Sequence, residues 1–252
     1  MKNKNKIYQE IYNLCKIKNN GNVSKNDIYP TPRVKFIIKL LDKENIDYKL
    51  DVFNNDVDSN SYNIILKGNS DKMVCAHHDI INPDSDNAND NSASIINAIV
   101  LKKLLPELNV VLVDGEELGG IGSQRISDLI HKDYFGNISW VLNLELTGIG
   151  GEYFFIGEDP GYLYDLVKSK FNCPTFNTPY NDSVTFRANN IDSIVINPLP
   201  ILKKGKSDVF YKGKYLDTSI LYRCHSMSDS VDKINTDDMQ IFVENVLYKI
   251  CK

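Results

Sequence analysis

The chain is poor in the features that mark membrane, disulfide-stapled or nucleic-acid-binding proteins. Its 252 residues include one tryptophan, four histidines and five cysteines. No stretch approaches the roughly 20 apolar residues of a membrane span, because Asp, Asn, Glu and Lys interrupt every candidate. The basic N-terminus, MKNKNKIYQEIYNLCK, lacks an apolar h-region and a small-residue cleavage site. The cysteines (Cys15, Cys75, Cys173, Cys224, Cys251) are odd in number, scattered and without a CxxC pair. That pattern argues against a disulfide framework and suits a reducing compartment, so a cytoplasmic location is expected. A net charge of −4, mixed in sign along the chain, leaves no clustered basic face for nucleic acid. Neither a nucleic acid nor a membrane is expected as a partner.

What is present is an alternating pattern. Two helices are expected at about 5–17 and 31–44, split by the turn-rich NNGNVSKND and by Pro30 and Pro32. Strand-like runs follow at about 47–53 and 61–67, around the polar FNNDVDSNS. Then KMVCAHH (strand), DNSASIINAIVLKKLL (helix), LNVVLVD (strand), GGIGSQRISDLIHK (helix) and ISWVLNLEL (strand) alternate. Ile95, Ile96, Ile99, Val100 and Leu104 fall at helical spacing and predict one buried stripe. VVLVD and WVLNLEL are continuous apolar runs, as in strands covered on both faces. EYFFIGE and IDSIVIN read as further strands, and NTDDMQIFVENVLYKIC as a closing amphipathic helix capped by Asn235 or Thr236. The fold class is therefore α/β, a three-layer α/β/α sandwich with a mostly parallel mixed central sheet. With no repeat and no linker-like segment, a single domain over 1–252 is expected, with 1–50 as its helical N-terminal part.

The polar residues that carry chemistry sit where strands end, the edge at which ligand crevices form in such sheets. His77 and Asp79 close KMVCAHHD, Asp90 precedes a helix, Glu116 and Glu117 follow VVLVDG, and Glu145 ends WVLNLEL. His225 follows the strand-like SILYRC. Imidazole and carboxylate donors without a thiolate suit zinc or a similar divalent ion. Asp90 can bridge two ions, with His77 and Glu145 completing one site and His225 and Glu117 the other. Metal ions bring the pKa of bound water into the physiological range, and Glu116, next to a ligand, is placed to take its proton. Each piece alone has an ordinary reading: HxD as a packed histidine, the Glu pair as solvated charge, NDNS as helix capping. The joint order is the specific signal.

That order (AHHD, NANDNSAS, DGEELGGIGS, NLELTG, NDSVTF and HSMSDSVDKIN) resembles the co-catalytic zinc aminopeptidases of clan MH, the family of aminopeptidase Y and the bacterial leucyl aminopeptidases. The likeness runs from about residue 72 to 235. It implies metal ligands at His77, Asp90 (the bridge), Glu117, Glu145 and His225, and a general base at Glu116. Asp79 would orient the His77 imidazole and Asp229 would support His225 from behind. It also implies two zinc ions per chain, with cobalt or manganese as substitutes, and a peptide or aminoacyl substrate cleaved at its N-terminal residue.

The sequence departs from the family's strings at three places: Glu145 stands for the usual Asp, Ser183 for a common His, and Ser94 for Gly. Tyr180 is the candidate for holding the oxyanion, with Tyr222 next. His78 reads as packed or solvent-facing, Cys224 as a buried thiol, and His131 as a helix C-terminal residue. Two other readings stay open. One is a glutaminyl cyclase-like acyltransferase, which in that branch needs one zinc. The other is a metal-free relative acting as an interaction surface.

Overall fold

In the computed structural model, which describes residues 6–18, 30–54 and 60–252, the chain opens with α1 (Glu10–Leu14) and α2 (Pro32–Lys43). The expected turn at 19–27 and the polar segment 55–59 lie outside the described residues. Thr31 starts α2: its Oγ1 accepts a hydrogen bond from Val34 N at 3.2 Å, and Pro32 has no N–H to leave unpaired in the first turn. α2 buries Val34, Ile37, Leu40 and Leu41 on one face, together with the charged Arg33.

Next come β1 (Lys49–Asn54), β2 (Asn60–Leu66) and β3 (Lys72–His77). A π-turn over Ala88–Ser92 leads into α3 (Ala93–Leu104), followed by β4 (Asn109–Val113), α4 (Ile121–His131) and β5 (Trp140–Leu144). Then follow β6 (Phe154–Gly157), α5 (Tyr162–Phe171), β7 (Thr175–Phe176), α6 (Asp182–Ala188) and β8 (Ser193–Pro198). A small hairpin of β9 (Phe210–Tyr211) and β10 (Lys214–Tyr215) precedes a 3-10 turn at Thr218–Tyr222. The C-terminal helix runs as α7 (Thr236–Phe242), a π-turn (Val243–Leu247) and α8 (Tyr248–Cys251), with Asn235 as its cap.

Eight strands form one sheet in the order β1-β2-β4-β3-β5-β8-β6-β7. The central four, β4, β3, β5 and β8, are mutually parallel, and antiparallel pairs flank them on both sides. Alternate residues serve opposite faces, as the pleat requires. Val74, Ala76, Val110 and Leu112 join the core under α1, α2, α3, α5 and the C-terminal helix. Met73, Cys75, Val111 and Val113 join Ile126 of α4 and Phe186 of α6 on the other face. Helices cover both faces, which gives the expected three layers.

Two expectations change. α3 is buried almost all round, from Ala93 to Ile99 and again at Leu101 and Lys102, while Leu104 is exposed. One face meets β3 and β4, and α1 and α7 close over the other, so a second helical layer replaces the single stripe. SILYRC is not a strand but the 3-10 turn, because Asp217 Oδ1 caps it by accepting from Ser219 N at 3.0 Å. No helix among the described residues is long and apolar enough to cross a membrane.

Candidate metal centre

The chain leaves β3 for β4 on one side and later adds β5 on the other, so the connections diverge at the carboxyl end of β3. His77 is the last residue of β3, in register with Val113 of β4. Glu145 follows β5, Glu116 and Glu117 sit in the turn after β4, and the π-turn carries Asp90. His225 arrives on a loop rather than a strand end, with a left-handed φ of 62°. All five expected ligands and Glu116 line one cavity of about 340 Å³.

Asp90 stands at the middle of the cluster. Its Oδ1 lies 3.2 Å from His77 Nε2 and its Oδ2 lies 3.2 Å from His225 Nε2. His77 Nε2 is also 3.5 Å from Glu145 Oε2, and His225 Nε2 is 3.2 Å from Glu117 Oε2. Each imidazole nitrogen thus faces two carboxylates, although a ring N–H can satisfy only one of them well. Two ligands of a tetrahedral zinc ion, with bonds of about 2.0–2.1 Å, stand roughly 3.3 Å apart, which matches these spacings. The spacings are those of neighbouring ligands on a divalent cation, and two groups, His77 with Asp90 and Glu117, and Asp90 with Cys224 and His225, each bring their donor atoms within 4.8 Å of one another.

The surrounding groups hold these ligands in place. Asp79 Oδ1 is 3.4 Å from His77 Nδ1, which has no hydrogen-bond partner. Asp79 also accepts from the amides of Glu116 (3.2 Å) and Glu117 (3.1 Å), so the carboxylate that faces the histidine also fixes the acidic turn. Asp229 acts differently from expectation. Its two oxygens accept from Asn89 N (2.8 Å) and Asp90 N (2.9 Å), so it holds the Asp90 loop rather than His225. Asn143 Nδ2 donates to Glu145 Oε1 at 3.1 Å.

The electrostatics are those of an excess of carboxylates. Burial, reinforced by Glu145 and Asp182, pushes the Glu116 carboxyl up to about 9. Burial and the neighbouring Asp90 raise Glu117 to about 7. Hydrogen bonding to Asp90 raises His225 to about 9. Asp90 itself is held low by both histidines despite its burial. A site that keeps protons on this many acids is one in which divalent cations relieve repulsion.

Tyr180 lines the cavity and its hydroxyl lies 2.5 Å from Thr185 Oγ1. Gly120 lies beneath that pair: its φ is +75°, and a Cβ there would stand 2.2 Å from Tyr180 Oη and 2.5 Å from Thr185 Oγ1. Tyr222 is 81% exposed and does not line the cavity. Ser183 is buried, with its Oγ 2.6 Å from Asn181 Oδ1. Ser94 bonds Thr147, and His78 is packed, with Nε2 2.6 Å from Tyr62 O. His131 reaches Asn189 O at 3.0 Å. Cys224 is half-buried and lines the cavity.

Sequence reasoning missed three residues. Asp182 is wholly buried, and burial with nearby Glu145 raises it to about 7. Its neighbour Ser183 drew attention because the family's motif changes there. Asn143 could have been found, since it shares a strand face with Glu145 two residues on. Arg33 could not. It is fully buried in α2, 44 residues before His77, and donates to His78 O (2.5 Å) and Ser92 Oγ (2.7 Å).

The fold has solved relatives. BSAP, a zinc aminopeptidase from Bacillus subtilis, superposes with a TM-score of 0.60 at 18% identity, covering 77% of this chain and 50% of that one. This chain thus spans about half the length of the Bacillus enzyme. The Legionella pneumophila LapA aminopeptidase gives a TM-score of 0.69 at 12% identity, covering 97% and 70%. The Porphyromonas gingivalis glutaminyl cyclase gives 0.67 at 14% identity, covering 97% of this chain and 96% of that one. No curated protein sequence matches. The sequence profile of Peptidase family M28 does, over residues 63–250, a span that takes in every ligand candidate and well over half of the chain. A sheet edge carrying paired histidines around a shared aspartate and a profile match of that extent lead to one conclusion: this chain belongs to peptidase family M28.

Proposed function

We propose that the chain is a zinc aminopeptidase that holds two ions and cleaves the N-terminal residue from peptides. The observation that carries this reading is the even division of Asp90, one oxygen at 3.2 Å from each histidine. A carboxylate shared between two ions accounts for that symmetry. When bound, the ions polarise the scissile carbonyl and acidify water. The chain's own residues supply the rest. Glu116 lies in the cavity beside the ligands without pairing to either histidine; cations bound next to it would offset the burial and carboxylate repulsion that hold its proton, leaving a carboxylate that takes the attacking water's proton and passes it to the leaving amine. Asp79 keeps Glu116 and Glu117 in place through their amides. The Tyr180 hydroxyl, steered by Thr185, donates to the carbonyl oxygen as negative charge builds there.

Glutaminyl cyclase activity is the second reading, and one observation favours it: this chain and the Porphyromonas cyclase match over nearly their whole lengths. Elemental analysis joined to two assays separates them. Two zinc ions per chain, release of amino acids from aminoacyl-p-nitroanilides, and a loss of about 10²–10⁴-fold in Glu116→Gln with metal retained are expected. One zinc ion with pyroglutamate formation from glutaminyl peptides would instead establish the cyclase.

A further inference from the structure

Adjacent side chains in extended backbone point to opposite sides, yet Cys224 and His225 both line the cavity. The chain is bent there: Arg223 is helical (φ −95°, ψ −19°) and His225 is left-handed (φ 62°). Cys224 Sγ, a His225 ring nitrogen and an Asp90 carboxylate oxygen lie within 4.8 Å of one another. Ligands of one tetrahedral ion, with metal–sulfur and metal–nitrogen bonds of about 2.3 and 2.0 Å, stand roughly 3.5 Å apart, inside that span. The other four cysteines are buried, and none of them lines the cavity. Cys224 makes one hydrogen bond, from Sγ to Leu221 O at 2.9 Å.

We propose that Cys224 is a further metal ligand, its thiolate joining Asp90 and His225 on the outer ion. The inference rests on the metal-centre reading above and changes its donor set from nitrogen and oxygen alone to one that includes sulfur. On binding, the S–H bond breaks, the proton leaves to solvent and a sulfur–metal bond forms, with no change of oxidation state. The bond to Leu221 O is given up. A soft donor on the outer ion favours zinc over manganese there. Glu117 gains freedom, because its carboxylate oxygen also groups within 4.8 Å of His77 and Asp90. It can then serve the inner ion when the outer one is held by sulfur.

The test is the spectrum of the chelator-stripped, full-length protein reloaded with Co²⁺, beside C224S and C224A. The expected result is a near-ultraviolet thiolate-to-cobalt charge-transfer band that is lost in both variants while the visible d–d bands persist. Visible bands with no charge-transfer band in the unsubstituted protein overturn the inference and leave the metal centre standing. A band that survives in both variants also overturns it, since another cysteine then supplies the sulfur. A protein that takes up no Co²⁺ overturns the metal centre itself, and this inference with it.

Discussion

His77 and His225 stand at the same 3.2 Å from the two oxygens of Asp90, yet one imidazole is 1% exposed and the other 50%. The inner half is carried by the sheet: β3 delivers His77, and β5, paired to it through Cys75↔Asn143, delivers Glu145. The outer half hangs on turns, with Glu117 after β4 and His225 on the loop beyond the 3-10 turn. The inner side chains are fixed by ladders and core packing. Of the outer pair only His225 is open to solvent; the Glu117 side chain is 8% exposed, as buried as that of Asp90. Rigidity and access are thereby divided between the two halves, and Asp90 joins them.

Replacing the joining residue gives the largest effect. Asp90→Asn keeps the shape and removes the charge, so both halves lose their ions, and elemental analysis reports it. Several kcal/mol of Lewis-acid stabilisation go with them, so activity falls by about 10³-fold or more. Loss of only one ion would mean that the halves are independent.

The halves separate next in stability. In the metal-free protein, His77→Ala strips the buried partner from Asp79, Asp90 and Glu145 and costs on the order of 3–5 kcal/mol. His225→Ala breaks pairs that include a half-exposed imidazole and costs about 0–1 kcal/mol. Urea melts of the two variants check this. Equal losses would erase the contrast between a sheet-borne and a loop-borne half.

The same contrast explains what could be read from sequence. The inner half was legible because KMVCAHH and WVLNLEL are apolar runs that end in polar donors, and a parallel sheet aligns such ends on one edge. The outer half was legible only as residue types. SILYRC has a strand's composition, but a single side chain, Asp217, diverts it into a turn. Asp229 has the spacing of a histidine's partner, but it meets the Asp90 loop amides, because Ser85 Oγ bonds the carbonyls of Ser226 and Asp229 and draws the two loops together. Arg33 and Asp182 carry no local signal, since their role follows from where distant elements pack. The all-round burial of α3 is of the same kind: its own pattern shows one stripe, and the covering helices come from the two chain ends.

Arg33 tests whether the inner half depends on that packing. It ties α2 to the backbone of His78 and to Ser92, next to both His77 and the Asp90 turn. Arg33→Met leaves His78 O and Ser92 Oγ without their charged donor and costs about 1.5–3 kcal/mol. The loss should appear in thermal melts, together with weaker retention of the inner ion on dialysis. An unchanged inner site would confine Arg33 to anchoring α2.

The smallest effect is a pH slope in the metal-free protein. Folding raises Glu116 to about 9, Glu117 to about 7 and Asp182 to about 7, in each case chiefly by burial. Hydrogen bonding to Asp90 raises His225 to about 9. A raised pKa means that the folded chain holds a proton which the unfolded chain has released, so stability falls as pH rises between the two values. For the acids that window opens near their ordinary values of 4.5 and 3.8, and for His225 near 6.5; the last of them closes at about 9. Asp79 and Asp90, whose pKa values are lowered, act in the opposite sense only in acid, as pH falls below their ordinary value of 3.8. The chelator-treated protein should therefore melt a few degrees lower at about pH 8.5 than at about pH 5.5. Zinc should remove that slope, since bound cations take the place of the retained protons. Glu117→Gln should flatten it only in part, because Glu116 and Asp182 keep their shifts. A melting temperature that rises across this range without metal would show that the acids of the site are already neutralised by the chain itself.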